Sequence, residues 1–366
     1  MKWGCIHYLL LDFRKYACFC QWLKSFFVAL DPVELILKPD KLRYFWASVK
    51  TIVMSQFSWG SDKRYNDFSG HFRKKFHARV QKISIDAGFT CPNRDGLKGT
   101  GGCSYCNNQT FSPGYCDLKK SVSLQLTEGI EFFFRKYKSM QYLAYFQSYS
   151  NTYAPLENLK LLYEEALAHP EVIGLVIATR PDCVTPEILD YLQLLAEKRY
   201  IMVEFGIESH RNSSLERLNR GHSFEESVWA LNETGKRNIH NCAHLILGLP
   251  GETEADWLDQ AKVISQLPVE NLKLHQLQIH KGTRMHREYQ QNPEAFPMFT
   301  VEEYLDLTVK YLELLNPKII VERFVSEAPD NLLVAPRWGL KNFEFTAKLE
   351  KLLEERQTWQ GRLFCK

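Results

Sequence analysis

From about position 80 onward, short β-branched runs alternate with amphipathic stretches, the pattern expected of parallel β-α-β units. The strand-like runs are Val80–Phe89, Gln141–Tyr149, Val172–Thr179, Met202–Glu208, Ala243–Leu247 and Leu272–Ile279. Between them, Leu124–Lys138, Pro155–His169, Pro186–Lys198, Phe224–Arg237 and Glu252–Gln266 read as helices. Several helices carry start signals. Pro186 follows Thr185, Pro155 stands in a first turn, and Thr253 precedes the stretch after Gly251. Further on, Val301–Leu315 reads as a helix, Ile319–Phe324 as another strand and Asn342–Glu355 as a last helix. Six strands with crossover helices fit a partial or complete barrel or a doubly wound sheet, and the pattern alone does not separate these. In either case ligand chemistry gathers at the carboxyl ends of the strands. No Ser/Gly/Pro-rich linker, internal repeat or low-complexity tract interrupts the alternation.

The first 53 residues have a different character. Their apolar runs (Tyr8–Leu11, Ala17–Cys20, Phe26–Leu30) are each broken by charge within a few residues. None approaches the ~20 residues that span a bilayer, and Asp12, Arg14 and Lys15 interrupt any signal-peptide core. Met54 opens a segment of another composition, so residues 1–53 are expected to be an appended segment outside the core, with the functional protein starting near Met54. Residues 54–79 form a basic, aromatic lead-in, 80–283 the barrel, and 284–366 a C-terminal extension packed on it.

Composition adds little beyond this. The chain has 366 residues, 45% of them apolar and 24% charged, as soluble globular proteins do. Its net charge of +3 arises in the opening segment, where eight Lys/Arg face four Asp/Glu; the remaining 313 residues hold 38 against 39. The bulk of the chain is therefore no general nucleic-acid binder. Locally, Lys63, Arg64, Arg73, Lys74, Lys75, Arg79 and Lys82 interleave with Tyr65, Phe68, Phe72 and Phe76. That suits phosphate contact with base stacking, and equally a solvated face with anchoring aromatics. Ten cysteines are too sparse for a disulfide scaffold, and a thiol site implies a reducing, cytoplasmic setting with no membrane attachment.

The chemistry concentrates in FTCPNRDGLKGTGGCSYCNN, where Cys91, Cys103 and Cys106 follow the first strand with eleven and two residues between them. Three close thiols hold three irons of a cubane cluster and leave the fourth open to a ligand. Thiolates also select zinc, which as a structural site wants four ligands, and His77 or Cys116 stands near enough in sequence to be the fourth. Unligated thiols are the third reading. Placement at a strand's carboxyl end favours a functional site over a peripheral zinc knuckle.

The cysteine loop, with ISIDAGFTCPNRDG, FQSYSNTYAP, ATRPDC, EFGIES, HLILGLPGET and APRWG, resembles the radical S-adenosylmethionine (SAM) superfamily, and within it the YhcC/YtqA-type group. That group is related to the elongator catalytic subunit and to oxygen-independent coproporphyrinogen oxidase. The resemblance covers roughly residues 55–362. The long first gap departs from the superfamily's usual Cys-x3-Cys-x2-Cys, a departure this group shares. The resemblance implies an α/β fold, a radical SAM partial TIM barrel of (β/α)6 type with a C-terminal α/β extension.

It implies further that Cys91, Cys103 and Cys106 ligate a 4Fe–4S cluster whose open iron binds the amino and carboxylate groups of SAM. Gln147 through Thr152 fall where the family's backbone receives the methionine amino group. Glu208 matches a residue that contacts the SAM ribose, and Arg220 one that pairs with the SAM carboxylate. His244 stands where an Asp often contacts ribose, and Thr179 and Arg180 replace a third-strand Glu. Gly99, Gly101 and Gly102 would offer backbone N–H groups to the cluster sulfurs. Cys116, Cys183 and Cys242 read as loop or packed thiols, and without a second cysteine triad a sulfur-inserting mechanism is not expected. His275 and His280 are placed on the sixth strand, one of them a candidate substrate contact.

The function implied is reductive cleavage of SAM to a 5′-deoxyadenosyl radical that abstracts hydrogen from a substrate, with tRNA, at a wobble-uridine side chain, the first choice. A flavodoxin- or ferredoxin-type electron donor is implied, and a SAM-dependent partner enzyme in the same pathway is admitted. The same chemistry on a small metabolite or porphyrin-like substrate is the second reading. A non-enzymatic iron–sulfur or zinc scaffold, or redox sensor, is the third.

Overall fold

In a computed structural model describing residues 57–110, 113–135 and 140–365, the strand-helix alternation closes on itself. The expectation for residues 1–53 lies outside the described residues. Lys63–Lys366 forms one unit. Its strands are β1 (Arg79–Ile85), β2 (Met140–Phe146), β3 (Val172–Thr179), β4 (Tyr200–Glu208), β5 (His240–Leu247), β6 (Asn271–Gln276), β7 (Ile279–His280), β8 (Ile320–Arg323) and β9 (Leu333–Ala335). The main helices are α1 (Phe68–Phe76), α2 (Val122–Phe134), α3 (Leu156–Ala168), α4 (Pro186–Ala196), α5 (Asn212–Arg217), α6 (Phe224–Lys236), α7 (Glu254–Ser265), α8 (Arg284–Gln291), α9 (Val301–Leu314) and α10 (Asn342–Glu355).

Seven strands pair in the order β1-β2-β3-β4-β5-β6-β8, every pair parallel. The seventh comes from the segment that the sequence assigns to the extension. At ~4.8 Å per strand, a flat sheet would hold β1 and β8 roughly 29 Å apart. Yet the Lys82 Nζ of β1 lies 2.6 Å from the Glu322 Oε2 of β8. The sheet is therefore curled into a partial barrel, as expected. Between its two edges the chain before α1 makes a parallel bridge, Asp67 to Val321.

Helices cover the outside of the curl and bury one continuous apolar layer that includes Ile83, Phe146, Ile177, Phe205 and Leu247. A smaller cluster fills the inside at the amino ends of the strands: Leu143, Val176, Met202 and Cys242, capped by Phe72 of α1. Phe72 and Phe76 meet the ring of Tyr200, the first residue of β4, edge-on at 5.3 and 5.4 Å. The aromatics of the basic lead-in therefore plug the floor of the barrel. Lys82, counted by sequence with the same basic stretch though it lies on β1, points into the lumen instead. Arg73 and Lys74 are exposed, at the opposite end from the cysteine loop.

Local signals were obeyed where the chain could obey them. Thr185 caps α4, accepting the Ile188 N–H at 3.3 Å with Pro186 in the first turn. Before α7, the Thr253 N–H reaches Asp256 at 2.8 Å. Pro155 is itself the cap residue of α3. The sixth strand is shorter than expected: β6 ends at Gln276, and His280 belongs to β7, antiparallel to β9. Among the described residues, no helix is long and apolar enough to cross a membrane.

Candidate functional site

The loop after β1 is held by its own turns and by the segment after β4. Arg94 N–H bonds the Cys91 carbonyl at 2.8 Å, Lys98 N–H the Pro92 carbonyl at 2.8 Å, and Cys106 N–H the Cys103 carbonyl at 3.1 Å. Asn93 is the stitch to the rest of the barrel. Its amide donates to the carbonyls of Asn219 and Arg220 at 2.5 and 2.9 Å, while Asn219 returns a bond to the Gly102 carbonyl at 3.0 Å. Gly221 makes the approach possible, with φ +71° and a Cβ position only 2.4 Å from the Asn93 Oδ1.

Cys91, Cys103 and Cys106 line one cavity at the carboxyl ends of the strands, together with Gln147, Glu208, Arg220 and His244. The structure thus brings all seven candidate residues to one opening. Donors aimed at the thiols come from side chains. Arg220 Nη1 lies 3.4 Å from Cys103 Sγ, the Asn93 amide 3.7 Å from the same sulfur, and Arg180 Nη1 3.8 Å from Cys91 Sγ. The backbone N–H groups of Gly99 and Gly102 are instead used inside the loop, bonded to the Pro92 and Asn93 carbonyls. This corrects the expected role of two of the three glycines.

Burial pushes the Cys106 thiol up, with Cys103 adding to it, while Arg94 and Arg220 oppose the shift. Arg180, 2% exposed, is fixed by Asp182 through two bonds of 2.9 and 2.8 Å. Asp182 would be raised by burial, but Arg180 and then Lys98 bring it down to about 2. His222, beside this group, is pushed down to about 3 by burial and by Arg220, so it is neutral there.

Three thiols within a ring of cationic and amide donors suit an anionic iron–sulfur cluster. They suit zinc poorly. Among the described residues, the one group of three potential metal-binding side chains with ligand atoms all within 4.8 Å is Glu204, Cys242 and His244. Cys91, Cys103 and Cys106 do not form such a group, so at least one pair of their sulfurs is more than 4.8 Å apart, wider than the ~4 Å between ligands on a tetrahedral zinc with 2.3 Å bonds. Cys116 offers no fourth thiolate. Its Sγ donates to the Ser84 carbonyl at 3.1 Å, and burial pushes it up to about 12. Cys183 is likewise raised by burial to about 12.

Glu208 sits at the end of β4 in left-handed backbone, φ +68°, where the β4–β5 register slips. Such strain in a non-glycine residue collects at functional sites. Its Oε1 accepts from Tyr105 OH at 2.8 Å and lies 3.3 Å from Arg220 Nη2. Its Oε2 has no partner among the described residues. Arg220 Nη2 also donates to the Gly206 carbonyl at 2.6 Å, so this guanidinium is engaged with Glu208 and Cys103 before any ligand arrives. Gln147 accepts from Ser84 Oγ at 3.0 Å. His244 lies one layer deeper, opposite Gly206, with Nε2 3.0 Å from Glu204 Oε2. Its bonded nitrogen therefore faces a buried carboxylate.

That deeper layer was not anticipated. Glu204, fully buried, accepts Lys82 at 2.7 Å on one oxygen and Lys273 at 2.6 Å on the other, with Tyr145 OH at 2.7 Å. Glu322 lies 2.6 Å from Lys82 and 3.2 Å from Lys273. The signal in the sequence was a charge at the centre of each apolar strand, Glu204 in IMVEFGI and Lys273 in NLKLHQL. Asn93 and Tyr105 carried no comparable signal, and Arg180 was marked only as a replacement for a third-strand Glu.

Comparison with known proteins agrees with this architecture. Residues 94–264 match the family model of the radical SAM superfamily and 269–355 that of the radical SAM C-terminal domain. YtqA of Bacillus subtilis is 34% identical over 83% of this chain and 94% of its own length. YhcC of Escherichia coli is 31% identical over 80% of this chain and 93% of its own. Among solved structures, the archaeal Elp3 of Methanocaldococcus infernus superposes with a TM-score of 0.59 at 16% identity, covering 77% of this chain and 64% of that one; it shares the fold. The chain belongs to the radical SAM superfamily, enzymes that use a 4Fe–4S cluster and SAM. Within the superfamily it is of the YtqA/YhcC type. The reading as a non-enzymatic scaffold or sensor is thereby set aside.

Proposed function

We propose that this enzyme holds its cluster through Cys91, Cys103 and Cys106, binds SAM across the ends of β2, β4 and β5, and acts on tRNA. The observation that carries the site assignment is the shared opening of the three thiols and Glu208 on one cavity. When bound, the cluster and SAM supply a 5′-deoxyadenosyl radical by reductive cleavage of a carbon–sulfur bond. The chain's own contributions are binding, orientation and exclusion of water. Glu208 Oε2 is placed to accept a ribose hydroxyl, with Tyr105 and Arg220 holding the carboxylate in position. Arg220 and Arg180 offset the negative charge of a thiolate-ligated cluster. The backbone from Gln147 through Thr152 would receive the methionine amino group. Burial of Ser148, Ser150 and Asn151 keeps that turn rigid.

The tRNA reading, at a wobble-uridine side chain, is supported by distant relatives. Two named tRNA uridine(34) acetyltransferase, from Methanocaldococcus infernus and Methanocaldococcus jannaschii, are 24% and 25% identical over 50% and 51% of this chain. A small substrate is the second reading. It is favoured by the depth of the lumen, which an RNA reaches only by turning a nucleotide out of its stack. A flavodoxin- or ferredoxin-type donor would deliver the electron.

The test is anaerobic reconstitution followed by 5′-deoxyadenosine assay, and comparison of tRNA nucleosides from deletion and wild-type cells. Changing Cys91, Cys103 or Cys106 to Ala is expected to abolish the visible absorption and SAM cleavage together. Full iron in any one variant would remove that residue from the ligand set. An unchanged nucleoside profile would move the substrate to a small molecule.

A further inference from the structure

Five charged side chains meet inside the barrel: Lys82, Glu204, Lys273, Glu322 and Arg323. The two lysines span the two glutamates, with all four contacts between 2.6 and 3.2 Å. Arg323 is left over. Among the described residues it makes no ion pair, its side chain makes no hydrogen bond, and its Nε is buried without a partner. Arg323 is half-buried, with its Nε enclosed, and a poorly solvated cation without compensation costs stability, so its retention calls for a counter-ion.

The backbone has been altered to bring it there. Leu272 pairs with Val321 but Lys273 with Arg323, so Glu322 is skipped in the β6–β8 register. The bulge breaks the alternation of the strand and turns two successive residues, Glu322 and Arg323, toward the lumen. Glu322 closes the ion network, and Arg323 lines the cavity shared with Cys91, Cys103 and Cys106.

Beside Arg323, on β6, His275 is fixed through Nδ1 to Ser326 Oγ, while its Nε2 is buried and unpartnered. Burial first, then Arg323, holds this ring well below its ordinary value. It is therefore neutral, able to offer one hydrogen bond without adding charge. The His244 ring lies 5.5 Å away, already tied to Glu204.

We propose that Arg323, with His275 Nε2 beside it, is a subsite for one oxyanion of the substrate, a carboxylate or a phosphate, placed in the lumen beneath the thiols. The inference rests on the reading of this cavity as the substrate site and holds whether the anion is part of a nucleotide or of a small molecule. A guanidinium fork matches two oxygens of either group. Once occupied, the layer's three cations face two carboxylates and one anion, and the lumen is neutral.

The test uses reconstituted, SAM-loaded protein at constant ionic strength, titrated separately with acetate and with inorganic phosphate while the unfolding midpoint is followed. Saturable stabilisation by one ion is expected at millimolar concentration, and the ion that acts identifies the chemistry. Arg323→Met is expected to raise the midpoint without added ion, because an uncompensated cation is gone. It is also expected to weaken ion binding by about tenfold or more, the loss of a charge-assisted fork. Arg323→Lys should keep part of the effect.

No saturable response in the wild type, or an equal response in Arg323→Met, overturns the proposal. So does a lower ion-free midpoint, which marks a structural arginine, or a loss of SAM affinity in Arg323→Met, which assigns the guanidinium to the cofactor. None of these measurements involves tRNA or turnover, so they fail or succeed independently of the nucleoside comparison.

Discussion

Replacing Lys273 with Met tests the ion network beneath the site. Lys273 is 1% exposed and Glu204 fully buried, so solvent screens little of their attraction. Breaking a buried pair by removing one partner costs about 3–5 kcal/mol. Two features place the cost near the lower end. Glu204 Oε2 keeps Tyr145 OH at 2.7 Å and His244 at 3.0 Å, and Lys82 still reaches both carboxylates. Methionine also fills most of the lysine stem's volume, so little cavity term is added. At about 2–4 °C per kcal/mol for chains of 150–250 residues, the unfolding midpoint should fall by roughly 6–12 °C.

The pH dependence should change as well. Burial alone would raise Glu204, but Lys273 and then Lys82 hold it well below the usual carboxylate range. A folded value below the unfolded one, about 4.3, means stability that is fully present above that pH and lost as the pH falls through the folded value. Without Lys273 the folded value rises, so acid destabilisation should begin at higher pH than in the wild type. Thermal unfolding by circular dichroism from pH 7 to pH 4 reads both effects. Adding Glu322→Gln should recover part of the loss through a coupling of about 0.5–3 kcal/mol. A midpoint within about 2 °C of wild type, roughly 1 kcal/mol or less, would refute the network as a stabilising unit.

Three further outcomes follow from the site. Arg220→Ala should weaken SAM binding about tenfold, since a charge-assisted contact to Glu208 is lost. It should also lower the cluster's reduction potential, because its Nη1 lies 3.4 Å from Cys103 Sγ; titration and redox potentiometry with neither changed would separate Arg220 from the site. Gly206→Ala should impair SAM affinity with the cluster retained, because a Cβ there meets Arg220 Nη2 at 2.4 Å and Glu208 Oε1 at 2.7 Å; an unaltered dissociation constant would show that this pair does not set the affinity. Neutralising Arg73 and Lys74 to Ser should leave tRNA affinity the same at every salt concentration, as both stand on the barrel floor far from the thiols. A salt slope reduced by about one per lost contact would place RNA on that end.

The layers of this fold differ in how far sequence reveals them. A parallel strand buried on both faces reads as an apolar run, so six strands and the cysteine loop could be located within a few residues. The pattern alone did not give the curl, which only the family resemblance implied: it depends on β1 meeting β8, and the strand read at Ile319–Phe324 was assigned to the extension and not to the sheet. Everything that depends on the curl was hidden with it. Lys82 looked like one more residue of a basic surface until the edges of the sheet met and gave it Glu322 as partner. His244 looked like a replaced ribose ligand until Glu204 was found beneath it.

Arg323 is the extreme case. Period-two alternation would set Glu322 and Arg323 on opposite faces, and only the register slip at Leu272/Lys273 turns both toward the lumen. A sequence records which residues carry charge; the pairing that neutralises four of these five, and leaves one free for a ligand, exists only once the barrel has closed. A half-buried cation whose Nε is enclosed without a partner departs from the rule that such charges are paired, and functional sites are where such departures are retained.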